Sequence, residues 1–322
     1  MRDGQSKNHH PAATAPISRR SLLVGAGAGL GYLTASGLVG AAPASLPPDR
    51  RAKLPASVPR LVVARGASPT KNVEALLARI GGMEKLIAKG DVVVIKPNAG
   101  WDRTPAQAAN THPEVMAALV RACRAAGAKE VVVCDNSVND CARSFERSGI
   151  RAAVEKAGAR VVLAGEAEQL DREIPGKSGR WPLLEPFLGA TKLINVPVAK
   201  HHGLTQFTGG IKNWLGAVAG KRNGLHTGID ESLVGLALLM RPTLTVVDAT
   251  RVLLRNGPVG GNLADVKRLD TVALSFDPVA VDAWAATQLG FDPNRIGHLV
   301  LGEKKKLGKL DWRSLDPVEL QT

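Results

Sequence analysis

An α/β fold of Rossmann-like type, with a mostly parallel sheet and helices on both faces, is what the sequence predicts, on three observations. Short Val- and Ile-rich runs alternate with longer stretches of helical apolar spacing. Of the 322 residues 44% are hydrophobic but only 3% aromatic, and the apolar set is mainly Val, Leu, Ala and Ile. That composition suits strands buried on both faces. Finally, polar or charged residues recur directly after the apolar runs, where open α/β sheets place their ligand crevices.

The chain opens with an address. Ser18-Arg19-Arg20-Ser21-Leu22-Leu23 sets paired arginines before a Gly- and Ala-rich apolar stretch that runs to Ala44. This reads as a twin-arginine signal, with the export machinery as partner and the periplasm as destination. Ala42-Pro43-Ala44 allows cleavage after Ala44. A retained anchor is the alternative, and the glycines and alanines between Gly25 and Gly40 weaken it. Folded export suits a chain that takes up a cofactor or metal before crossing. Residues 45–59 hold four prolines and read as a linker, leaving 60–322 as the α/β domain.

Within that domain Arg60–Arg65 reads as a strand, Asn72–Ala88 as a helix and Asp91–Ile95 as a short buried strand, together a βαβ unit. Thr111-His-Pro-Glu opens a helix that runs to Gly127, with Thr111 or His112 near the cap and Pro113 in the first turn. Strand Glu130–Cys134 follows. Further strands are expected at Arg160–Leu163, Lys192–Val198, Thr243–Val247 and Thr271–Phe276. Helices are expected at Ile150–Ala157, Glu231–Met240 and Val279–Leu289. No repeat of solenoid or propeller period is present.

Charge and cysteine content narrow the function classes. Lys and Arg total 42 against 29 Asp and Glu, a net +13. Without residues 1–44 the balance is 38 to 28, or +10, so the basicity belongs to the domain and favours anionic partners. Nucleic acid is not among them: the basic residues are scattered and there is one Tyr, whereas strand binding calls for a basic stripe with stacking aromatics. Cys123, Cys134 and Cys141 show no paired spacing. The first two read as core residues, and Cys141 is the one candidate for reactivity.

The candidate site follows from the strand ends. Ile95 is followed by Lys96, Pro97 and Asn98; Cys134 by Asp135 and Asn136; Val198 by Lys200, His201 and His202; Val247 by Asp248; Phe276 by Asp277. Asp135 and Asp277 read equally as helix or turn caps. In Lys200–Gly216, Gly209 and Gly210 would let backbone amides approach an anion at a helix start, with Lys200 and Lys212 adding charge. His201 and His202 point to opposite sides of an extended segment, so one of them enters the site. His202 suits proton transfer or metal ligation, and His226 lies in a similar polar, Gly-rich segment. His112 reads as a cap or packing residue, and His298 stands outside any cluster. There is no Walker loop, HExxH, zinc spacing or nucleophile elbow.

On these residues the chain resembles the family termed domain of unknown function 362. The matching pieces are Ile95-Lys-Pro-Asn98, Thr111-His-Pro-Glu114 with Gly127, Ile194-Asn-Val-Pro197, Lys200 with His202, and Thr208–Gly216 including Lys212-Asn213. Asn256-Gly-Pro258 with Gly260 and Asp277-Pro-Val-Ala-Val-Asp282 complete them. The resemblance implies a shared α/β domain and brings no settled activity. Where the family pattern commonly reads Lys-x-Lys-x-His, the first lysine position here is Val198, which implies a less charged ligand. Relatives often carry ferredoxin-type cysteine runs; this chain has none, so an iron–sulfur cluster held by its own cysteines is not expected.

Two readings lead. In one the protein is an exported enzyme. Lys96, Asn98, Asp135, Gly209, Gly210, Lys212, Asn213 and Asn256 hold an anionic substrate or cofactor, while His202, Lys200 and Asp248 carry the chemistry. A metal ion on His202 and His226 is a variant of it. In the other, the same groups capture or deliver an anion, metal or cofactor without reaction. A structural partner protein, with every strand-end charge paired, is the third.

Overall fold

The computed structural model describes residues 47–322, so the export signal read over residues 1–44 lies outside the described residues. Among the described residues no helix is long and apolar enough to cross a membrane.

The chain forms β1 (Leu61–Arg65), α1 (Pro69–Arg79), β2 (Val92–Pro97), α2 (Pro113–Ala125) and β3 (Glu130–Asp135). Next come α3 (Cys141–Arg147), α4 (Ile150–Lys156), β4 (Arg160–Leu163), β5 (Gln169–Glu173), β6 (Arg180–Leu184) and α5 (Glu185–Gly189). Then follow β7 (Lys192–Val196), β8 (Val198–His202), β9 (Gln206–Thr208), α6 (Gly210–Asn213), α7 (Ile229–Met240) and β10 (Leu244–Leu253). The last elements are β11 (Val266–Ser275), α8 (Pro278–Gln288), α9 (Gly297–Lys304) and β12 (Val318–Gln321).

One large sheet has the order β12-β1-β11-β10-β7-β2-β3-β4, with β8 beside the outer half of β10 and β9 beside β8. Along that order only β11 runs antiparallel to its neighbours, so the sheet is mostly parallel. β5 and β6 form a separate hairpin. Successive strand residues feed opposite faces: Val132 and Cys134 of β3 join the core under α5, α7 and α8, whereas Val131 and Val133 join the core under α1, α2 and α4. Burial on both faces explains why the strands read as unbroken apolar runs.

Several elements depart from the sequence reading. The helix expected over Asn72–Ala88 ends at Arg79, because Gly81 and Gly82 take φ values of 89° and 94° and leave only a single 3-10 turn, Met83–Lys85. The strand expected over Lys192–Val198 is cut by Pro197, which has no N–H for the ladder; β7 stops before it and β8 starts after it. Asp248 N–H donates to the Pro197 carbonyl at 2.9 Å, so β10 continues past the break and pairs with β8. Residues 47–59 lack helix and strand, yet Arg50 is buried and donates to the carbonyls of Ala190 (2.7 Å), Leu188 (2.6 Å) and Met240 (3.3 Å).

Register positions the site. Ile95 pairs with Ile194 and with Val133, and Lys96 with Asn195. The carboxyl ends of β2, β3 and β7 therefore finish level, and the polar residues just beyond them share one rim.

Candidate functional site

A cavity of about 370 Å³ opens at this rim, lined by Lys96, Asn98, Asp135, Lys200, His202, Lys212, Asn213 and Arg222 among others. Its floor is a buried ion pair. Lys96 is fully buried, and its Nζ donates to Asp135 Oδ1 at 2.6 Å, with the Pro97 carbonyl at 3.2 Å and Asn213 Oδ1 at 3.4 Å. Asp135 Oδ2 accepts the Ala99 N–H at 2.8 Å. Burial lowers the Lys96 ammonium from its usual range, and Asp135 opposes that shift. Gly216 closes over the pair: a Cβ there would sit 2.7 Å from Lys96 Nζ and closer still to Asp135 Oδ1.

Asparagines lock the adjoining wall. Asn213 Nδ2 donates to Asn195 Oδ1 at 2.8 Å, and Asn213 Oδ1 accepts from Asn98 Nδ2 at 3.3 Å. Asn195 in turn donates to the Gly210 carbonyl at 2.8 Å, so α6 is fastened to β7.

Among the described residues the remaining basic side chains of the lining differ from Lys96 in having no carboxylate partner. Lys200 is buried; its Nζ donates to Asn98 Oδ1 at 3.3 Å and to the Ala109 carbonyl, and stands 5.9 Å from the Trp101 ring centroid. Burial and then neighbouring Lys212 hold this amine far below the usual ammonium range. Lys212 has no hydrogen-bond partner or ion pair among the described residues, and burial followed by Arg222 and Lys96 lowers it to about 8. Arg222 donates to the carbonyls of Asn136 (3.0 Å), Leu215 (3.4 Å) and Ser137 (3.3 Å). Thr208, also in the lining, is 3% exposed and its hydroxyl has no partner.

His202 is held in one tautomer. Its Nδ1 accepts N–H bonds from Leu204 (3.1 Å) and Thr205 (3.3 Å), so the proton sits on Nε2. Burial, then Lys212 and Lys200, pushes its pKa down to about 3. The ring is therefore neutral at physiological pH and presents a donor. Its neighbour His201 turns the other way, accepting the Gly257 N–H on Nδ1 at 3.2 Å and lying against Phe291.

Four of the sequence expectations need correction. Asp248 does not face His202: its Oδ2 accepts the His112 N–H at 2.7 Å, and its Oδ1 accepts the Thr250 N–H and hydroxyl at 2.9 and 2.7 Å. The β10 register sends that carboxylate to the start of α2, away from the cavity lining. The helix start at Gly209-Gly210 does not offer the Gly210 and Ile211 amides to a ligand, because buried Asp282 accepts the N–H groups of Gly210 (2.6 Å) and Ile211 (2.9 Å). The glycines serve that carboxylate's close approach, since a Cβ on Gly209 would fall 2.4 Å from Asp282 Oδ1 and 2.5 Å from the Phe207 ring. Asn256 donates to Asp265 at 2.7 Å, and its loop reaches the cavity through Pro258 instead. The metal expected on His202 and His226 does not fit. Both line the cavity, but no three His, Cys, Asp or Glu gather among the described residues, and a ligating Nε2 on His202 would need the tautomer that its two N–H donors oppose.

One polar strand end resolves as a cap, Asp277, which accepts the Ala280 N–H at the start of α8 at 2.8 Å; His112, expected at a cap, accepts the Glu114 N–H on Nδ1 at 3.2 Å. Asp135 is the other case, a partner for Lys96. Trp101 and Arg222 line the cavity without having been singled out in the sequence, and Thr208 and Gly216 entered only as the ends of a segment matching the family. Arg222 sits in an irregular stretch before a short 3-10 helix and Thr208 in a three-residue strand, neither of which points to a site locally.

Three comparisons place the chain among known proteins. A thylakoid-associated protein of Synechocystis is 27% identical over 242 residues, covering 72% of this chain and 74% of that protein. Among solved structures, the lactate racemase apoprotein from Thermoanaerobacterium thermosaccharolyticum aligns over 70% of this chain and 56% of its own, with a TM-score of 0.40 and 12% identity. A Thermotoga maritima protein aligns over 74% and 60%, with a TM-score of 0.39 and 11% identity. The chain thus spans less than two thirds of either solved structure. Residues 93–287, more than half of the chain, match the family described as Domain of unknown function (DUF362), and the chain belongs to that family.

Proposed function

We propose that the cavity binds a small organic anion and that the protein is an enzyme acting on it after export by the twin-arginine route. One observation carries the binding reading. Among the described residues, Lys96, Lys200, Lys212 and Arg222 line the cavity against a single carboxylate, and that carboxylate is already engaged by Lys96, so Lys212 is left there with no partner. A ligand carboxylate or phosphate would supply the missing acceptor. The unpartnered Thr208 hydroxyl offers a neutral donor beside it. A volume of about 370 Å³ lies at the lower end of the range for ligand sites, which favours a compact metabolite over a nucleotide.

The catalytic part rests on Lys200 and His202. A buried amine with only neutral acceptors is a base or nucleophile, and a neutral imidazole donating from Nε2 stabilises negative charge that develops on an oxygen. The signal reading supports export and rests on residues 18–44 alone.

Calorimetric titration with acetate, inorganic phosphate and sulfate, with magnesium and zinc salts as contrast, tests binding. Anions should bind and divalent cations should not. Lys212→Met should weaken the anion by about 10- to 100-fold, since a hydrogen bond to a charged group contributes about 1.5–3 kcal/mol. Equal affinity in the variant would dismiss the reading. Fusing residues 1–44 to a reporter that folds before export should deliver it to the periplasm, and the paired change Arg19→Lys with Arg20→Lys should stop delivery; delivery unaffected by that change would dismiss the route.

A further inference from the structure

Lys200 and Lys96 enter the cavity from neighbouring parts of the sheet, and their surroundings differ in one respect that decides their chemistry. Lys96 has a carboxylate at 2.6 Å and is held as an ammonium. Among the described residues Lys200 has no acidic partner. Its two acceptors, Asn98 Oδ1 and the Ala109 carbonyl, are both neutral, and two acceptors are the number that a neutral amine's two N–H bonds satisfy. The nitrogen lone pair is then left over, on a residue of the cavity lining. Lys212 in the same lining makes a positive charge at Lys200 unfavourable.

We propose that Lys200 is a nucleophile that forms an imine with a small oxo acid, whose carboxylate is held by Lys212. This deepens the anion reading above and rests on it. The assignment joins three features of one lining: a free ammonium for the carboxylate, a neutral amine for the carbonyl carbon, and the Nε2–H of His202 as donor to the carbonyl oxygen.

The step balances without any further reactant. The Nζ lone pair bonds to the carbonyl carbon while the C=O π pair moves to oxygen, which the His202 donor stabilises. The two Nζ hydrogens then leave with that oxygen as water, and a C=N bond replaces the C=O bond, so no atom is oxidised or reduced. If the imine takes up a proton from solvent, its single N–H still has an acceptor in Asn98 or Ala109. The protonated imine draws electron density from the adjacent carbon, which is the position made reactive.

The test is trapping. The full exported protein is incubated with pyruvate, or separately with glyoxylate, and treated with sodium borohydride, followed by intact-mass measurement and peptide mapping. The expected result is one reduced adduct per chain, at Lys200, absent with acetate, absent without reductant, and lost in Lys200→Arg. Lys212→Met should shift half-saturation by about 10-fold or more while leaving the adduct at Lys200. Calorimetry with pyruvate and acetate runs in parallel on the untreated protein. Binding of both without an adduct overturns the imine and leaves the anion site standing; no binding of either overturns both. Adducts spread over surface lysines, or an adduct retained in Lys200→Arg, also overturn the assignment.

Discussion

Replacing Asp135 with Asn tests the floor of the cavity most directly. The side chain keeps its shape and an oxygen for the Ala99 N–H, but Lys96 loses the only carboxylate within reach. Lys96 is fully buried, so two routes are open to the variant. It can keep an unpaired buried ammonium, at a cost of about 3–5 kcal/mol. Otherwise it can release the proton, which for an ordinary lysine pKa of about 10.4 costs about 4.6 kcal/mol at pH 7. Both routes predict a loss of about 3–5 kcal/mol relative to the parent. The sign with pH follows from burial, which lowers the folded-state pKa of Lys96. The unfolded chain then binds more protons, so stability of the variant rises with pH toward the ordinary lysine value, by up to about 1.4 kcal/mol per unit. Urea unfolding read by the fluorescence of buried Trp214 and Trp284 measures both quantities. On the proton-release route the gap between parent and variant should narrow between pH 7 and pH 9, by at most about 2–3 kcal/mol, whereas a retained ammonium leaves it unchanged. Pairing Lys96→Met with Asp135→Leu should recover most of the loss, since an apolar pair of similar volume replaces a buried ion pair at little cost. A variant within about 1 kcal/mol of the parent at pH 7, with the same gap at pH 9, would refute the account.

Three other perturbations read the surrounding groups. Because burial and neighbouring cations hold Lys212 at about 8, anion affinity should be level below that pH and fall by up to about 10-fold per unit above it, and a Kd that stays constant to pH 9.5 would contradict its role. Gly216→Ala should both destabilise the fold, by about 1–3 kcal/mol, and perturb anion binding, because its Cβ enters the space of the Lys96–Asp135 pair; urea unfolding and calorimetry check the two effects. Nitrogen NMR of the His202 ring should show the neutral form with the proton on Nε2 from pH 5 to pH 8, its pKa being pushed to about 3 by burial and the adjacent lysines, whereas titration near the usual histidine value would remove it as a fixed donor.

What the sequence could say about this protein was decided by distance along the chain. Period and composition exposed the β2–α2–β3 unit because each element buries its own residues in a regular rhythm: Val93 to Ile95 and Val131 to Cys134 on the strands, Val115, Leu119 and Val120 on the helix. The recurrence of polar residues at strand ends located Lys96, Asp135 and Lys200, since backbone direction alone brings parallel strand ends together, and the Gly-rich helix start located Lys212. Partner choice was not legible. Asp248 and Asp135 both follow a Val-rich strand, yet one meets the amide of His112 and the other the ammonium of Lys96. The difference is set by register with β8 and β2, contacts that no local pattern encodes. Gly209 and Gly210 illustrate the same limit: a helix start with free amides and one sealed by a carboxylate 72 residues away look alike until the second helix is placed. The strand expected over Lys192–Val198 ran through Pro197, and neither the break there nor the new strand on its far side was anticipated.

The buried guanidinium of Arg50 moves the working boundary of the domain. Trimming the chain to the first strand would strip three carbonyls, on the ends of α5 and α7 and on Ala190, of a charged donor set whose individual hydrogen bonds are each worth about 1.5–3 kcal/mol. Those carbonyls lie at the starts of β7 and β10, the end of the sheet remote from the rim where Lys200 and Lys212 meet. A proline-rich run that looks dispensable thus acts as a peg in the back of the molecule. Shortened versions intended for ligand work should begin upstream of it, so that any lost affinity reports on the mouth and not on a loosened base.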